Sequence, residues 1–443
     1  MPPQPDTADL FRYTSGRWLW DEEQQLVGAD ICTVITKLAE GSFNKTFRLE
    51  MGNGSSVIAR IPHSTAGPRY YTIASEVATM EFARTILGVP TPHVYAWNAD
   101  VGNPVGSEYI IVKEASGTKL EDLWNDYSLE EKFAVMKDLV QLERKMLQVP
   151  LNRYGSLYYA GANIRGAVPA DTCAEIPTEL KDTIRRRFVI GPLAERYYWS
   201  KERAEMTLDR GPWKQPHDYV LSLAYREKAW IQPYATSKSR RRPANWQGLC
   251  AALLIIQARH PGLVDYSSKV ILKAPESFKQ LNLAEKARIR GLISRSILLY
   301  LYEKQIAREL LLLNKVLRFN HGWTRCNPVL FVGDTWEDDL LPLRESLVRL
   351  ERCWNESGFD FPCPIHFTED DLRVHAEENT GWNNIQNFWN SVADVVSRDG
   401  WTPHHLYRDT VSLFTELRDI GLKAMVGKKR DAFEIQTQWV KKH

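Results

Sequence analysis

The chain has 443 residues, of which 44% are apolar and 25% charged, and its formal net charge is +2. It is long enough for two substantial lobes and too apolar for a disordered chain. The near-neutral balance argues against nucleic acid or anionic membrane as partner, and the longest apolar runs, Ala251–Ile256 and Leu310–Leu313, are too short for a transmembrane segment.

Residues 1–30 read as a polar and aromatic lead-in, with Phe11, Trp18 and Trp20 placed to dock on a partner surface. The opening residues MPPQPDTADLF carry neither an apolar signal core nor an Arg-rich amphipathic pattern. On the residues alone this points to a soluble intracellular protein. Six cysteines, at 32, 173, 250, 326, 353 and 363, form no C-x-x-C pair, so free thiols in a reducing compartment are expected.

From 31 to 116 the signals are mostly strand. ICTVITKLA, TFRLEM, SVIARI, HVYAW and SEYIIVKE predict five strands, and Asn53-Gly54 marks a hairpin turn. A helix is predicted over 70–87, closed by Gly88 and Pro90. After Gly117 the pattern turns helical. Ser128-Leu129-Glu130-Glu131 reads as a capping box opening a helix to about Val149, with Phe133, Met136, Val140 and Leu147 on its apolar stripe. Further helices are expected near 176–206, 216–233, 283–318, 336–357, 369–398 and 404–440, with Thr368 as an N-cap. The basic run Lys238–Arg242 reads as a solvated loop, and His217-Asp218, His260 and His404-His405 as structural rather than metal-binding.

The residues that could carry chemistry lie between Leu38 and Phe82. Gly41, with Ser42 and Asn44 beside it, sits in a turn between two strand-like runs, where a glycine lets backbone N–H groups approach phosphate oxygens. An ordinary turn accounts for a lone glycine equally well. Arg60 follows Val57-Ile58-Ala59 near a strand end, the position of the phosphate-binding lysine in a V-A-I-K strand. Glu76 stands sixteen residues on, inside the predicted helix, where it can pair with Arg60 and orient it. A purely structural ion pair is the alternative at that spacing. Arginine in place of lysine brings a larger, planar fork and a different phosphate geometry.

Several blocks resemble the fungal aminoglycoside-phosphotransferase-like family, and within it the altered-inheritance-of-mitochondria protein nine group. They are EGSFNKTF, the run from VIARIPHSTAG to PHVYAW, NPVGSEYIIVKEASGTKLEDLW, YGSLYY, GPWKQPHDYVLSLAYREKAWI, NWQG with QARHPGLVDY, and FPCPIHFTEDDL. The resemblance implies an α+β, protein-kinase-like bilobal fold, with a small antiparallel-sheet N-lobe over 31–116 and a large, mostly helical C-lobe over 117–443. It implies ATP and Mg²⁺ as cofactors, a small-molecule acceptor of unknown identity, and a mitochondrial location; the N-terminal composition points instead to the cytoplasm. It also implies a catalytic loop H-x-D-x-x-x-x-N followed by I-I-D-W-Q.

This chain departs from that pattern. None of its asparagines has an aspartate five residues before it, so the loop is absent from the sequence. Asn245-Trp246-Gln247-Gly248 fits the D-W-Q-G position with Asn245 where the metal-binding aspartate belongs, and it follows almost directly on Arg240–Pro243. The block carrying the loop is missing between them. A neutral asparagine holds Mg²⁺ far more weakly than a carboxylate, so no catalytic residue is assigned. Asp265, Asp370 and Asp371 read as surface or capping acids. The expectation is a catalytically impaired member of the family, a pseudokinase or an exon-skipped product. An active ATP-dependent phosphotransferase using other acids, and a non-enzymatic interaction protein, are the alternatives. Loss of the block is also expected to expose apolar surface beside Trp246 and Leu249.

Overall fold

The structure is a computed structural model that describes residues 32–40, 43–63, 66–234, 253–264, 270–332, 340–396, 402 and 406–438. Gly41, Ser42, Asp265 and the segment holding Arg240–Arg242, Asn245, Trp246 and Leu249 lie outside the described residues, as do residues 1–30 and His404-His405.

Five antiparallel strands come first: β1 (Cys32–Glu40), β2 (Asn44–Met51), β3 (Ser56–Pro62), β4 (Val94–Asn98) and β5 (Tyr109–Lys113). They form one sheet in the order β1-β2-β3-β5-β4. The predicted turn between β2 and β3 is a four-residue loop. Gly54 adopts φ +81°, and Asn53 Oδ1 accepts from the Ser55 backbone N–H at 2.9 Å.

The helix α1 (Tyr71–Thr85) crosses between β3 and β4. It ends as the sequence indicates. Gly88 takes φ +64°, the left-handed conformation that turns the chain out of the helix, and the Val89 N–H returns to the Ala83 carbonyl at 2.9 Å. α1 is buried on two sides. Ile73 and Val77 pack with Ile110 of β5, whereas Ala74, Ala78 and Phe82 face Tyr158, Leu157 and Phe188.

Those last residues belong to a second sheet within the part expected to be helical. β6 (Ser156–Tyr159), β7 (Val168–Pro169) and β8 (Phe188–Gly191) make a three-stranded antiparallel sheet in the order β6-β8-β7. The helix expected over 176–206 is therefore corrected. After the short α2 (Leu120–Leu123) and the long α3 (Leu129–Leu147), α4 spans only Thr178–Arg187, then the chain becomes β8 and 3₁₀ turns. Phe188, Ile190 and Leu157 are buried core, and satisfying that burial outweighs the helical pattern of the residues around them.

The rest is helical as expected: α5 (Pro216–Tyr234), α6 (Leu254–Gln257), α7 (Leu283–Glu309), α8 (Leu311–Leu317), α9 (Gly322–Phe331), α10 (Leu340–Arg352), α11 (Glu369–Ser391), α12 (Tyr407–Ala424) and α13 (Gly427–Gln436). α6 and α9 were missed by the sequence pattern. Both predicted caps form. The Glu131 N–H donates to Ser128 Oγ at 3.2 Å while Glu131 Oε2 accepts from the Ser128 N–H at 2.7 Å, and Thr368 with Asp371 repeats the device on α11. The α3 stripe packs as read: Met136 and Val140 meet Leu298, Tyr302 and Ile306 of α7, with Phe133 and Leu147 alongside.

Two predictions follow from packing. At Gly155, just before β6, an added Cβ would run into the Gly191 carbonyl oxygen and lie 2.9 Å from Ile190 Cγ2, whereas Gly291 within α7 faces open space. Gly155→Ala is expected to cost about 1–3 kcal/mol from overpacking, and Gly291→Ala to raise the melting temperature; calorimetry on both variants checks this. Between α3 and α7, Tyr302 Oη donates to the Glu143 carboxylate at 2.8 and 3.0 Å. Burial pushes the Glu143 carboxyl up from its ordinary value of 4.5, the Tyr302 bond opposing only in part. A raised carboxylate favours folding most below 4.5 and loses that contribution as pH rises through its folded value. Glu143→Gln should therefore raise stability at neutral pH and lose that advantage in acid, as urea melts across pH would read.

Candidate nucleotide-binding site

The strand period places alternate residues of β3 on opposite faces of the sheet. Val57, Ala59 and Ile61 join one apolar cluster with Leu49, Tyr109 and Ile111. Ile58 and Arg60 therefore point the other way, toward α1. The register sets Arg60 opposite Ile110 of β5 and Thr46 of β2, and Ile58 opposite Arg48. Two cationic side chains, Arg48 and Arg60, thus share the α1-facing side two rows apart.

Glu76 on α1 meets Arg60 as the spacing suggested. Arg60 Nη2 donates to Glu76 Oε1, with the two side chains 30% and 23% exposed. Arg60 Nε is buried and has no hydrogen-bond partner among the described residues. Asn44 is the first residue of β2, opposite Pro62 at the same end of the sheet as Arg60.

Charge collects at that end. Glu40, the last residue of β1, is ringed by Lys37, by Lys45 Nζ at 3.7 Å and by His63 Nε2 at 3.6 Å. Burial alone would lift the Glu40 carboxyl, but the Lys37 hydrogen bond and the nearby Lys45 and His63 hold it below its ordinary value. Phe43, next to the turn, lies under the Arg196 guanidinium at 5.8 Å, which brings the hairpin end against the later part of the chain. None of these partners except Asn44 was legible as a site residue: Lys37, Lys45 and His63 read as ordinary strand and turn residues, and the Phe43–Arg196 contact joins segments far apart in sequence.

Two further ties hold α1 in place. Glu81 accepts from Arg84 Nη2 at 2.7 Å and from Arg187 Nη2, at the end of α4, at 2.8 Å. Burial works against the ionised Glu81, yet the bonds from Arg84 and Arg187 win and hold its carboxyl below the usual range. At the start of the helix Tyr70 takes φ +66°, its N–H donating to the buried Glu108 carboxylate at 2.7 Å and its Oη to the Ala162 carbonyl at 2.9 Å. Burial raises the Glu108 carboxyl.

At the other end of the sheet Glu114 accepts from Arg48 Nε at 2.9 Å and from Ser56 Oγ. Together these elements give five antiparallel strands, a crossing helix, and a strand cation paired to a helix carboxylate. That is the layout of the N-terminal lobe of kinase-like folds. The chain is α+β, an antiparallel-sheet part followed by a mostly helical remainder. Among the described residues no helix is long and apolar enough to cross a membrane.

No family model matches the chain. It is similar to a subtelomeric hrmA-associated cluster protein of Aspergillus fumigatus, 27% identical over 84% of this chain and 89% of that one. It is also similar to altered inheritance of mitochondria protein 9, mitochondrial, of Yarrowia lipolytica, 24% identical over 91% of this chain and 86% of that one. Among solved structures, a fructosamine-3-kinase chain from Thermobifida fusca matches 75% of this chain and 98% of its own, at 9% identity and a TM-score of 0.32.

The Glu81 ties predict a pH signature. A depressed carboxylate contributes stability above its ordinary value of 4.5, and that contribution is lost as pH falls through the lowered folded value. Glu81→Gln should therefore destabilise the fold at neutral pH and approach the wild type in acid; melts at several pH values distinguish this from a pH-independent packing loss.

Proposed function

We propose that this kinase-like chain grips a nucleotide through Arg60 and Glu76 and does not catalyse phosphoryl transfer. One observation carries the first half: Arg60 is fixed by Glu76 on the α1-facing side of the sheet, with its buried Nε left without a partner among the described residues. A guanidinium held in this way by a carboxylate, with N–H donors to spare, fits a phosphate oxygen. The lysines around Glu40 add positive charge at the same end of the sheet. Bound ATP would bring the polyphosphate, and Arg60, with the backbone near Asn44, would hold it.

The second half rests on sequence. Transfer relies on positioning the acceptor and on metal ions that neutralise charge at the phosphate, and the loop H-x-D-x-x-x-x-N that would serve both is not in the chain. The alignment to the Aspergillus fumigatus protein runs over 468 positions while drawing on 84% of the 443 residues here, which supports a block present in the relative and missing from this chain. In this reading residues 31–116 form the nucleotide-gripping lobe and 117–443 the helical lobe, within the aminoglycoside-phosphotransferase-like family. The names of the yeast relatives support a mitochondrial location and role.

Thermal melts of the purified chain with ATP, with and without Mg²⁺, test the reading. ATP should raise the melting temperature, Arg60→Ala should abolish the rise, and ADP release should stay at background. A wild type indifferent to ATP would sink the nucleotide grip; sustained Mg²⁺-dependent turnover would sink the inactivity. Fractionation of the host cell checks the compartment, and recovery outside mitochondria counts against it.

A further inference from the structure

A cavity lies along one face of α5. Asp218, Ser222, Arg226 and Ala229 recur every three or four residues on that face, and with Leu221 and the exposed Tyr225 they line a partly open space of about 360 Å³ bounded on its other side by Thr207–Asp209 and Trp213. That volume falls in the range of small-molecule sites, about 300–1,000 Å³, and the mixture of aromatic, aliphatic and a few polar groups is what such sites use.

Arg226 is the unusual wall. It is 2% exposed. Its Nε donates to Glu227 Oε1 at 2.6 Å, and its guanidinium lies 4.4 Å from the centre of the Tyr198 ring. The other Glu227 oxygen accepts from Arg203 Nη2 at 2.7 Å, so one carboxylate serves two guanidinium groups. Among the described residues Arg226 makes no hydrogen bond besides that from Nε. Its terminal nitrogens, which carry about four of the five N–H donors of the group, are left for the cavity. A guanidinium held in place by Glu227 and Tyr198, with donors that open on a cavity and not on protein acceptors, is ready to take an incoming acceptor. The acceptor with matching geometry is a planar or tetrahedral oxyanion.

The two acids on the cavity wall differ. Asp209 is engaged, Oδ1 with the Gly211 N–H at 3.0 Å and Oδ2 with Trp213 Nε1 at 2.7 Å. Asp218 is half-exposed, with His217 Nδ1 3.6 Å from its Oδ1. Arg226 stands eight positions further along the helix, about 12 Å along the axis. The cavity is thus anionic at one end and cationic at the other.

We propose that this cavity binds a small metabolite bearing a carboxylate or a phosphate, with the oxyanion on Arg226, the body against Trp213 and Leu221, and a hydroxyl donor on Asp218. The proposal is independent of the nucleotide reading. Ligand-observed NMR on the full chain tests it with three probes of similar size: 3-(4-hydroxyphenyl)propionate, phenyl phosphate and the cation tyramine. Saturable binding of either anion, with tyramine silent, is expected, and the stronger anion identifies the oxyanion class. Arg226→Lys keeps a charge beside Glu227 but loses the fork, and should weaken the anion about tenfold. Ala229→Phe fills the cavity and should abolish binding; if Arg226→Lys does not fold, this variant carries the test. Tyramine binding as well as the anions, anion binding unchanged in the folded variants, or no binding of any probe would each overturn the proposal.

Discussion

The burial of α1 on two sides is the constraint on which the rest of the structure depends. A helix that packs one face on a sheet can shift or tilt at modest cost. This one has Ile73 and Val77 against the first sheet and Ala74, Ala78 and Phe82 against the second. The small residues Ala74, Ser75 and Ala78, all buried, let the backbone approach the second sheet closely. Close-packed interiors resist displacement by even a methylene, so α1 is located relative to both sheets at once. Glu76 inherits that placement, and Arg60 is aimed by Glu76.

The charges around α1 follow the same logic at its ends. Glu81, near the last turn, draws in Arg187 from the end of α4, and Glu108 receives the backbone N–H of Tyr70 at the start. Tyr70 holds a left-handed backbone conformation that is rare for a bulky residue, at a point where its hydroxyl reaches the Ala162 carbonyl. Such a conformation persists when the surroundings over-determine it. Here the Glu108 carboxylate and the Ala162 carbonyl do so, one from each side of the helix.

Further along the chain the polar groups are arranged differently. Around α5, arginines stack on aromatic rings: the buried Arg203 lies 4.3 Å from the Trp230 ring centre, the half-buried Arg210 4.1 Å from that of Trp199 and the buried Arg226 4.4 Å from that of Tyr198. Burial lowers the pKa of Arg203 and Arg210, yet stacking, Glu227 and backbone carbonyls keep the guanidinium groups in place. These are rigid cations in an apolar setting, in contrast to the solvated charge pairs on α10 and α11.

The sequence by itself determined most of the local structure and the Arg60–Glu76 pair. Period-two alternation and apolar runs named the five strands, hydrophobic spacing with Ser128 and Thr368 caps named most of the helices, and the sixteen-residue interval between Arg60 and Glu76 named the ion pair. Each of these signals is carried by residues close together in the chain, where backbone geometry leaves few choices. Tertiary structure decided the rest. The second sheet at 156–191 overrode a helical pattern because Leu157, Phe188 and Ile190 bury themselves only by pairing as strands beneath α1. The Arg187–Glu81 tie, the Phe43–Arg196 contact and the Arg226 cavity join segments that no local pattern links, and which of the many arginines ends in a buried pocket is settled only when the chain has packed around it.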